Sequence, residues 1–479
     1  MISVDLRMTE ADSLRLRDIF KPSFRSGRCP ETGAIGLLGD CRVANRHEFM
    51  LVKLFVPAPG DFKVAARDQL TFDASYIRRA HLEMRSQRLA GLVFFHTHPE
   101  ADKEVGFSFY DNQQEPLLVE NLQELEPTTQ IVSVVVGRSS QCGRVWLSRN
   151  RFQPLNRMIV VGESLSFRRL DGQPEPPPTS PSAIFDRGLA LTGAGALGIL
   201  SRLKIAVIGA SGTGSLICEL LARAGCRDIL LIDNDIVKII NLNRILYATQ
   251  DDADRGAAKV DVLRRGIEGL GLGCRVEPFR GSVLDRDVLA RLCDADIVVG
   301  CMDKAFPREL LCEFAYRYQR PYIDVGSEIG GDERGIVSLD ARVSYVSPGR
   351  YCLQCAGVVT PRQLHFEALS APERKRVRAQ GYSDDLVIDQ PAVMDLNMRA
   401  ASKGMMVLRH LLQPFLCTPL PVMFLENLVT YSSKAIKEPR TPNPRCPVCQ
   451  INPRCGYGDR AAALGLDKEM LRIITGDAE

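Results

Sequence analysis

Along the first 170 positions, apolar residues fall in short runs separated by polar and glycine-containing turns. Residues 35–38, 49–56, 91–95 and 131–136 have the length and apolar content of strands. Residues 73–88 instead carry apolar side chains at helical spacing, which predicts a helix. After position 200 the pattern becomes repetitive. A strand over 203–209 is followed by a glycine turn, a helix over 214–224 and a strand over 228–233. Residues 296–301 and 321–325 are further apolar strands, each preceded by helical sequence. Repeated strand–helix units predict a parallel, doubly wound sheet. Between the two patterns lies GQPEPPPTSP, residues 172–181, too rich in proline to continue a helix or a central strand. The expected organisation is an α/β domain over 1–170, a linker over 171–183 and a Rossmann-like α/β domain over 184–479.

Composition narrows the function classes. A net charge of +3 over 479 residues gives no support to a nucleic-acid or membrane-surface role. No apolar run approaches the ~18 residues of a membrane-spanning helix. The charged N-terminus, MISVDLRMTEADSLRLRD, lacks a signal-peptide core, so the expected setting is cytoplasmic and reducing. In that setting a disulfide framework is not expected of the 15 cysteines, and the two Cys-x-x-Cys pairs at Cys352/Cys355 and Cys446/Cys449 point to metal. Two such pairs complete a closed tetrahedral Cys₄ zinc site, and their long separation suits a clamp that pins the C-terminus to the core.

Two of the chain's six histidines are His96 and His98, at the end of the apolar run GLVFF. Side chains at i and i+2 of a strand share a face, so both imidazoles can meet one ion. Ser108 and Asp111 follow after a loop and can bring a third, oxygen ligand. Two imidazoles and a carboxylate leave a fourth zinc position for water, whose pKa falls toward about 7 there. Glu31, just before the run TGAIGLLG, is the candidate base. Glu31-Thr-Gly-Ala, His96-Thr-His98-Pro99 and Ser108-x-x-Asp111 together resemble the JAMM motif of the JAB-family metallopeptidases, over roughly residues 20–165. The resemblance implies cleavage of peptide or isopeptide bonds after ubiquitin-like proteins. It makes His96, His98 and Asp111 the catalytic zinc ligands, Glu31 the general acid/base and Ser108 the oxyanion stabiliser. The stretch from Pro99 to Ser108 is longer than the commonest family spacing, which leaves Asp102 as an alternative ligand.

The second constellation begins with Gly209-Ala-Ser-Gly212-Thr-Gly214, between the strand KIAVI and a helix. Such a turn lets phosphates approach the backbone at a helix N-terminus, and Asp233 ends the next strand, where it can accept from ribose hydroxyls. A nicotinamide dehydrogenase would share these features. It would not need the further series Asp235, Asn241, Arg244, Lys259 and Asp303, which offers cations for a triphosphate and a carboxylate for magnesium. The order resembles the E1/ThiF/MoeB/HesA family over roughly residues 184–450. The resemblance implies ATP-dependent adenylation of the C-terminal carboxylate of a ubiquitin-like protein. ATP would lie on Gly209, Gly212 and Gly214, with Asp233 on ribose, Asn241, Arg244 and Lys259 on the phosphates, and Asp303 on Mg²⁺. Family members commonly dimerise and share an arginine across the interface, a position matched by Arg187.

The segment between Cys355 and the apolar helix around 398–412, where many E1 enzymes carry a nucleophilic cysteine, contains none. Cys417 reads as core, Cys455 as a candidate for exposure, and Ser383 as a candidate ester-forming hydroxyl. Arg374, Lys375, Arg376 and Arg378 in the same segment are either a solvated helix face or a docking patch for an acidic protein. The resulting expectation is a bifunctional isopeptidase and E1-like enzyme, with a ubiquitin-like modifier and an E2-like protein as partners and no nucleic acid or membrane. Such fusions resemble components of bacterial ubiquitin-like operons, some in antiviral defence. The alternatives are sulfur-carrier activation for cofactor biosynthesis and a binding scaffold with degenerate sites.

Overall fold

The computed structural model describes residues 2–25, 29–43, 46–101, 103–173, 183–332, 335–379, 393–416, 420–436, 443–451 and 455–460. They form two compact units. One comprises Met1–Pro177 with Tyr316–Gln319 and Arg454–Ala462; the other comprises Pro178–Ala315, Arg320–Pro453 and Ala463–Glu479.

The first unit runs β1 (Ser3–Thr9), α1 (Glu10–Phe20), β2 (Gly33–Val43), β3 (Arg46–Phe55), β4 (Phe62–Ala65), β5 (Leu70–Phe72), α2 (Ala74–Ser86), β6 (Gly91–Thr97), α3 (Phe109–Leu125), β7 (Gln130–Val136), β8 (Gln141–Ser148), β9 (Arg151–Pro154), β10 (Arg157–Val161) and β11 (Leu165–Arg169). Nine strands make one mixed sheet in the order β11-β10-β1-β3-β2-β6-β7-β8-β9, and β4 pairs with β5 as a separate hairpin. The runs at 35–38, 49–56, 91–95 and 131–136 lie in β2, β3, β6 and β7. The helix expected over 73–88 is α2, with the Asp73 side chain accepting from Ser75 N at its start. Strand alternation divides the core between the two faces. Val93 and Phe95 of β6 join Leu16 and Phe20 of α1 on one side. Leu92 and Phe94 join Tyr76 and Met84 of α2 and Val119 and Leu122 of α3 on the other.

The second unit continues with α4 (Asp186–Leu200), β12 (Lys204–Ile208), α5 (Gly212–Ala224), β13 (Asp228–Ile232), α6 (Gln250–Asp254), α7 (Lys259–Gly269), β14 (Arg275–Phe279), α8 (Arg286–Leu292), β15 (Ile297–Gly300), α9 (Ala305–Arg317), β16 (Tyr322–Asp332), β17 (Gly335–Val346), α10 (Pro361–Ala368), α11 (Ala371–Ala379), α12 (Met394–Leu412), β18 (Met423–Asn427) and β19 (Ser432–Ile436). The sheet order is β14-β13-β12-β15-β16-β17-β18-β19. The first five run parallel. The expectation of a parallel sheet needs correction beyond them, because β17, β18 and β19 are antiparallel additions. Their sequences mix polar and apolar residues and are partly exposed, whereas KIAVI and DILLI are apolar after their first residue, as suits strands buried on both faces. α12 packs against α5 and the β16–β17 hairpin through Leu396, Ala400, Ala401, Gly404, Met405 and Leu408, spaced as one helical face. No helix among the described residues is long and apolar enough to cross a membrane.

Candidate functional site

In the first unit, antiparallel pairing of β2 with β6 sets Gly33 opposite His96. The approach to β2 is tied down by Thr97 N donating to Thr32 O (2.9 Å) and Glu31 N donating to Ala66 O (2.7 Å). Glu31 is thereby held beside His98, whose Nε2 lies 3.7 Å from Glu31 Oε1. Asp111 arrives from the first turn of α3. Its Oδ1 is 3.2 Å from His96 Nε2 and its Oδ2 3.3 Å from His98 Nε2. One ligand atom from each of His96, His98 and Asp111 lies within 4.8 Å of the others. His96 Nε2 is fully buried, and despite the nearby carboxylate no hydrogen bond of good alignment reaches it. A buried ring nitrogen without an aligned partner, converging with a second imidazole and a carboxylate, is a donor set that fits zinc.

Ser108 caps α3. Its Oγ accepts from Asp111 N (3.1 Å) and donates to Asp111 Oδ2 (2.8 Å), while Ser108 N donates to the same oxygen (2.7 Å). The Ser-x-x-Asp spacing is thus also a capping box, and the serine fixes the rotamer of the carboxylate facing the histidines. Asp102 lies outside the described residues.

The electrostatics follow from burial of several charges in one place. Burial pushes the Glu31 carboxyl up to about 7; the His96 charge opposes this, and Asp111 and Asp68 add to it. For Asp111, burial raises the pKa, but the close approach of the His96 and His98 imidazoles outweighs it and holds the carboxyl well below the usual range. For His96, burial disfavours the imidazolium, yet the Asp111 carboxylate beside it raises its pKa above the ordinary value.

In the second unit, the glycine turn leaves the carboxyl end of β12. Gly209 has φ +98°, and a Cβ on it would sit 2.7 Å from Cys301 O; a Cβ on Gly214 would sit 1.8 Å from Gly209 O. Neither position admits a side chain, so the turn folds tightly under the N-terminus of α5. Asp233, just after β13, accepts from Ala210 N and from Asp235 N, both at 2.7 Å. Its carboxylate therefore braces the turn. Burial raises its pKa and the Lys259 charge draws it back. Lys259, nearly buried at the start of α7, donates to Asp235 Oδ2 at 2.7 Å. Asn241 is buried and accepts from Lys238 N at 3.0 Å. Arg244 donates to Ile240 O (2.6 Å) and Asn243 Oδ1 (3.0 Å), and its Cδ lies 3.4 Å from where a Gly212 Cβ would be. Asp303 is exposed just beyond β15, the strand next to β12. Arg187 is exposed in the first turn of α4.

Three features escaped sequence reasoning. Asn397 of α12 is buried, accepts from Ser327 Oγ (2.6 Å) and Thr213 Oγ1 (3.3 Å), and abuts Gly212. A lone asparagine on an otherwise apolar helix face was its only signal. Asp324, fully buried, lies 3.1 Å from Arg308 Nε and 3.3 Å from Arg342 Nη2 and accepts from Tyr322 Oη at 3.0 Å. Its signal was an aspartate inside the apolar strand YIDVG. Glu367 of α10 accepts from Ala305 N and Phe306 N, and nothing in its local sequence marks it.

The four cysteines of the two Cys-x-x-Cys pairs converge, with Cys352 Sγ 3.4 Å from Cys446 Sγ and Cys355 Sγ 3.5 Å from Cys449 Sγ. A tetrahedral site with Zn–S near 2.3 Å needs S···S of about 3.8 Å, so small movements suffice to admit the ion. As thiols they share protons. Hydrogen bonds, from Cys352 above all, hold the Cys449 thiol below its ordinary value, while burial pushes Cys355 up. Burial also pushes the Cys455 thiol up to about 12, which disfavours the thiolate a nucleophile requires. Cys417 and Ser383 lie outside the described residues. Arg374 donates to Glu367 O, Lys375 and Arg376 are exposed, and the side chain of Arg378 lies outside the described residues.

Curated proteins share part of this second unit. tRNA threonylcarbamoyladenosine dehydratase 2 of Saccharomyces cerevisiae is 34% identical over 122 residues, 25% of this chain and 27% of that protein. The tRNA threonylcarbamoyladenosine dehydratase of Escherichia coli is 31% identical over 141 residues, 29% of this chain and 52% of that protein. Ubiquitin-like modifier-activating enzyme 5 of Caenorhabditis elegans is 24% identical over 208 residues, 40% of this chain and 45% of that protein. The chain therefore spans between 27% and 52% of the length of these relatives. Among solved structures, E. coli MccB with MccA-N7isoASN aligns with a TM-score of 0.46 at 21% identity, covering 57% of this chain and 75% of that one. The ThiF family profile matches residues 185–475, the stretch that carries the glycine turn, Asp233, Lys259, Asp303 and both cysteine pairs. The chain belongs to the ThiF family.

Proposed function

We propose that the chain is a bifunctional enzyme of a ubiquitin-like modifier pathway, adenylating the modifier's C-terminus in one unit and hydrolysing bonds to that C-terminus in the other. The adenylating half rests on family membership together with the acidic, basic and glycine groups gathered at the carboxyl ends of β12, β13 and β15. The hydrolytic half, a JAB/JAMM-like zinc isopeptidase, rests on one observation: His96, His98 and Asp111 converge beside Glu31, a buried carboxyl poised near neutrality.

In the adenylating unit, the backbone amides at the start of α5 face the phosphates, Arg244 and Lys259 add positive charge, and Asp233 takes the ribose. Asp303 would hold magnesium, which when bound would offset charge on the phosphates. The modifier carboxylate attacks the α-phosphorus, an O–P bond forms, the bond to the β-phosphate oxygen breaks, and pyrophosphate leaves. Positioning and charge neutralisation supply the catalysis. With no cysteine between Cys355 and α12, the acyl group passes from the adenylate to the next acceptor, for which an E2-like protein is the candidate. In the hydrolytic unit, zinc would supply Lewis acidity toward the scissile carbonyl and its attacking water. Glu31 takes a proton from that water and returns it to the departing amine, while Ser108 holds Asp111 in register.

ATP–pyrophosphate exchange, measured with a panel of ubiquitin-like proteins ending in Gly-Gly, tests the first activity. The named relatives also include tRNA-modifying dehydratases, so bulk tRNA is a second candidate acceptor in the same assay. Exchange that needs a Gly-Gly protein supports the reading; exchange driven by tRNA alone overturns the modifier assignment.

Two further outcomes are expected of the metal sites. Cys446→Ser should lower bound zinc and the melting temperature of the second unit, because ligand binding energy is folding energy in such a clamp. Metal analysis with calorimetry checks this, and a variant that keeps both values would remove the clamp. In the first unit the sign of the pH dependence should reverse with metal. Without zinc, the raised pKa of His96 means its pairing with Asp111 stabilises fully below the ordinary imidazole value and is lost as pH rises through the folded value. With zinc, His96 must be deprotonated, so stability should instead be lost as pH falls through that range. Melting curves of chelated and zinc-loaded protein from mildly acidic to mildly basic pH should therefore diverge upward.

A further inference from the structure

We propose that Glu367 is a positioning residue for the adenylation site, capping α9 from a distance so that the Asp303 carboxylate stays free for magnesium. The inference rests on the adenylating function proposed above. Residues 301–304 form the short link between β15 and α9, and the structure fixes this link at both ends. Cys301 N donates to Ile208 O at 2.7 Å. Met302 O accepts from Arg308 Nη2 at 2.5 Å, and Arg308 is anchored in turn on buried Asp324. At the helix end, Ala305 N donates to Glu367 Oε1 (2.7 Å) and Phe306 N to Glu367 Oε2 (2.9 Å).

The first amides of a helix have no partner within it and must find one. The usual partner is a short polar side chain at the position just before the helix. Here that position is Lys304, which cannot accept, and the nearest acid along the chain is Asp303. Left to itself, the start of α9 would draw the Asp303 carboxylate onto its own amides. Glu367 takes that place from more than sixty positions away. Asp303 is accordingly exposed, and among the described residues its carboxylate accepts no hydrogen bond. α10 therefore supplies the cap of α9. It keeps the acid of the site turned outward, and Arg374 of α11 adds to its hold by donating to Glu367 O at 3.2 Å.

The test measures ATP binding by the full-length protein with and without Mg²⁺, which needs no knowledge of the modifier. The readout is the factor by which magnesium tightens ATP binding. In Glu367→Ala this factor should shrink by about three- to tenfold, the range that corresponds to the energy of a lost helix cap. Affinity for ATP without magnesium should stay within about twofold of the parent, since the cap has no bearing on the metal-free nucleotide beyond measurement scatter. Glu367→Gln retains one acceptor oxygen and should fall between the two; it also serves if the alanine variant folds poorly. In an Asp303→Ala background, Glu367→Ala should have no further effect on the magnesium factor. A cap with a purely structural role would lower the melting temperature and leave the factor unchanged in both variants, and that result overturns the proposal. If the parent protein binds no ATP under any condition, the adenylating function itself fails and the inference falls with it.

Discussion

Asp303→Ala is expected to reduce modifier-dependent ATP–pyrophosphate exchange by about 10²-fold or more, the scale on which a single preorganised electrostatic group acts in a transition state. The effect should be confined to the adenylating unit, so cleavage by the first unit should persist at the parent rate. The reason lies in what the sheet offers at that edge. β12 ends in the glycine turn, β13 in Asp233 and β15 in the link that carries Asp303. Asp233 is already committed to bracing Ala210 N and Asp235 N, and Asp235 is paired with Lys259. Asp324 is buried between two arginines and a tyrosine. Of these acids, Asp303 alone is both exposed and without a hydrogen bond among the described residues, so it is the one able to take a metal ion directly. Exchange at the parent rate in the alanine variant would move the magnesium site elsewhere.

The same contrast explains how much of the molecule is readable from its sequence. The central strands of both units are legible because burial on both faces demands continuous apolar runs, as in IAVI, ILLI and GLVFF. The glycine turn is legible because backbone geometry admits no other residue at Gly209 and Gly214. β1 is harder to read because its sequence, SVDLRMT, carries Asp5 and Arg7 into the interior. Arg7 is buried against Glu48, and Asp5 against Arg157, so charges stand where a periodicity argument expects apolar side chains. The antiparallel strands β17 to β19 are missed for a different reason. They are partly exposed additions to the sheet, and their mixed composition resembles loop. Within the proposed adenylation site, the candidate residues Asp233, Asn241, Arg244, Lys259 and Asp303 follow the chain in order and can be read from it. Asn397 and Glu367 make hydrogen bonds with residues 184 and 62 positions away, and local sequence contains no record of such pairings.

The largest effect in the first unit is expected from Glu31→Gln. The substitution keeps the shape of the side chain and removes its ability to accept a proton, and loss of a general acid/base costs about 10²–10⁴-fold in rate. Burial pushes the Glu31 carboxyl up to about 7. A bound dication would lower that value, since an adjacent positive charge favours the carboxylate, and the acidic limb of a pH–rate profile should therefore lie below neutrality. Zinc content should not change, because Glu31 stands beside His98 rather than within the converging set of His96, His98 and Asp111. His98→Ala should lose both zinc and activity, which separates the chemistry from the holding of metal. The assay is release of a C-terminal fusion or an isopeptide-linked lysine from a Gly-Gly ubiquitin-like protein, with zinc measured on the same samples. Cleavage by Glu31→Gln at the parent rate would place the base on another residue. A parent protein that holds no metal in its first unit and cleaves none of the panel would make that unit a binding module.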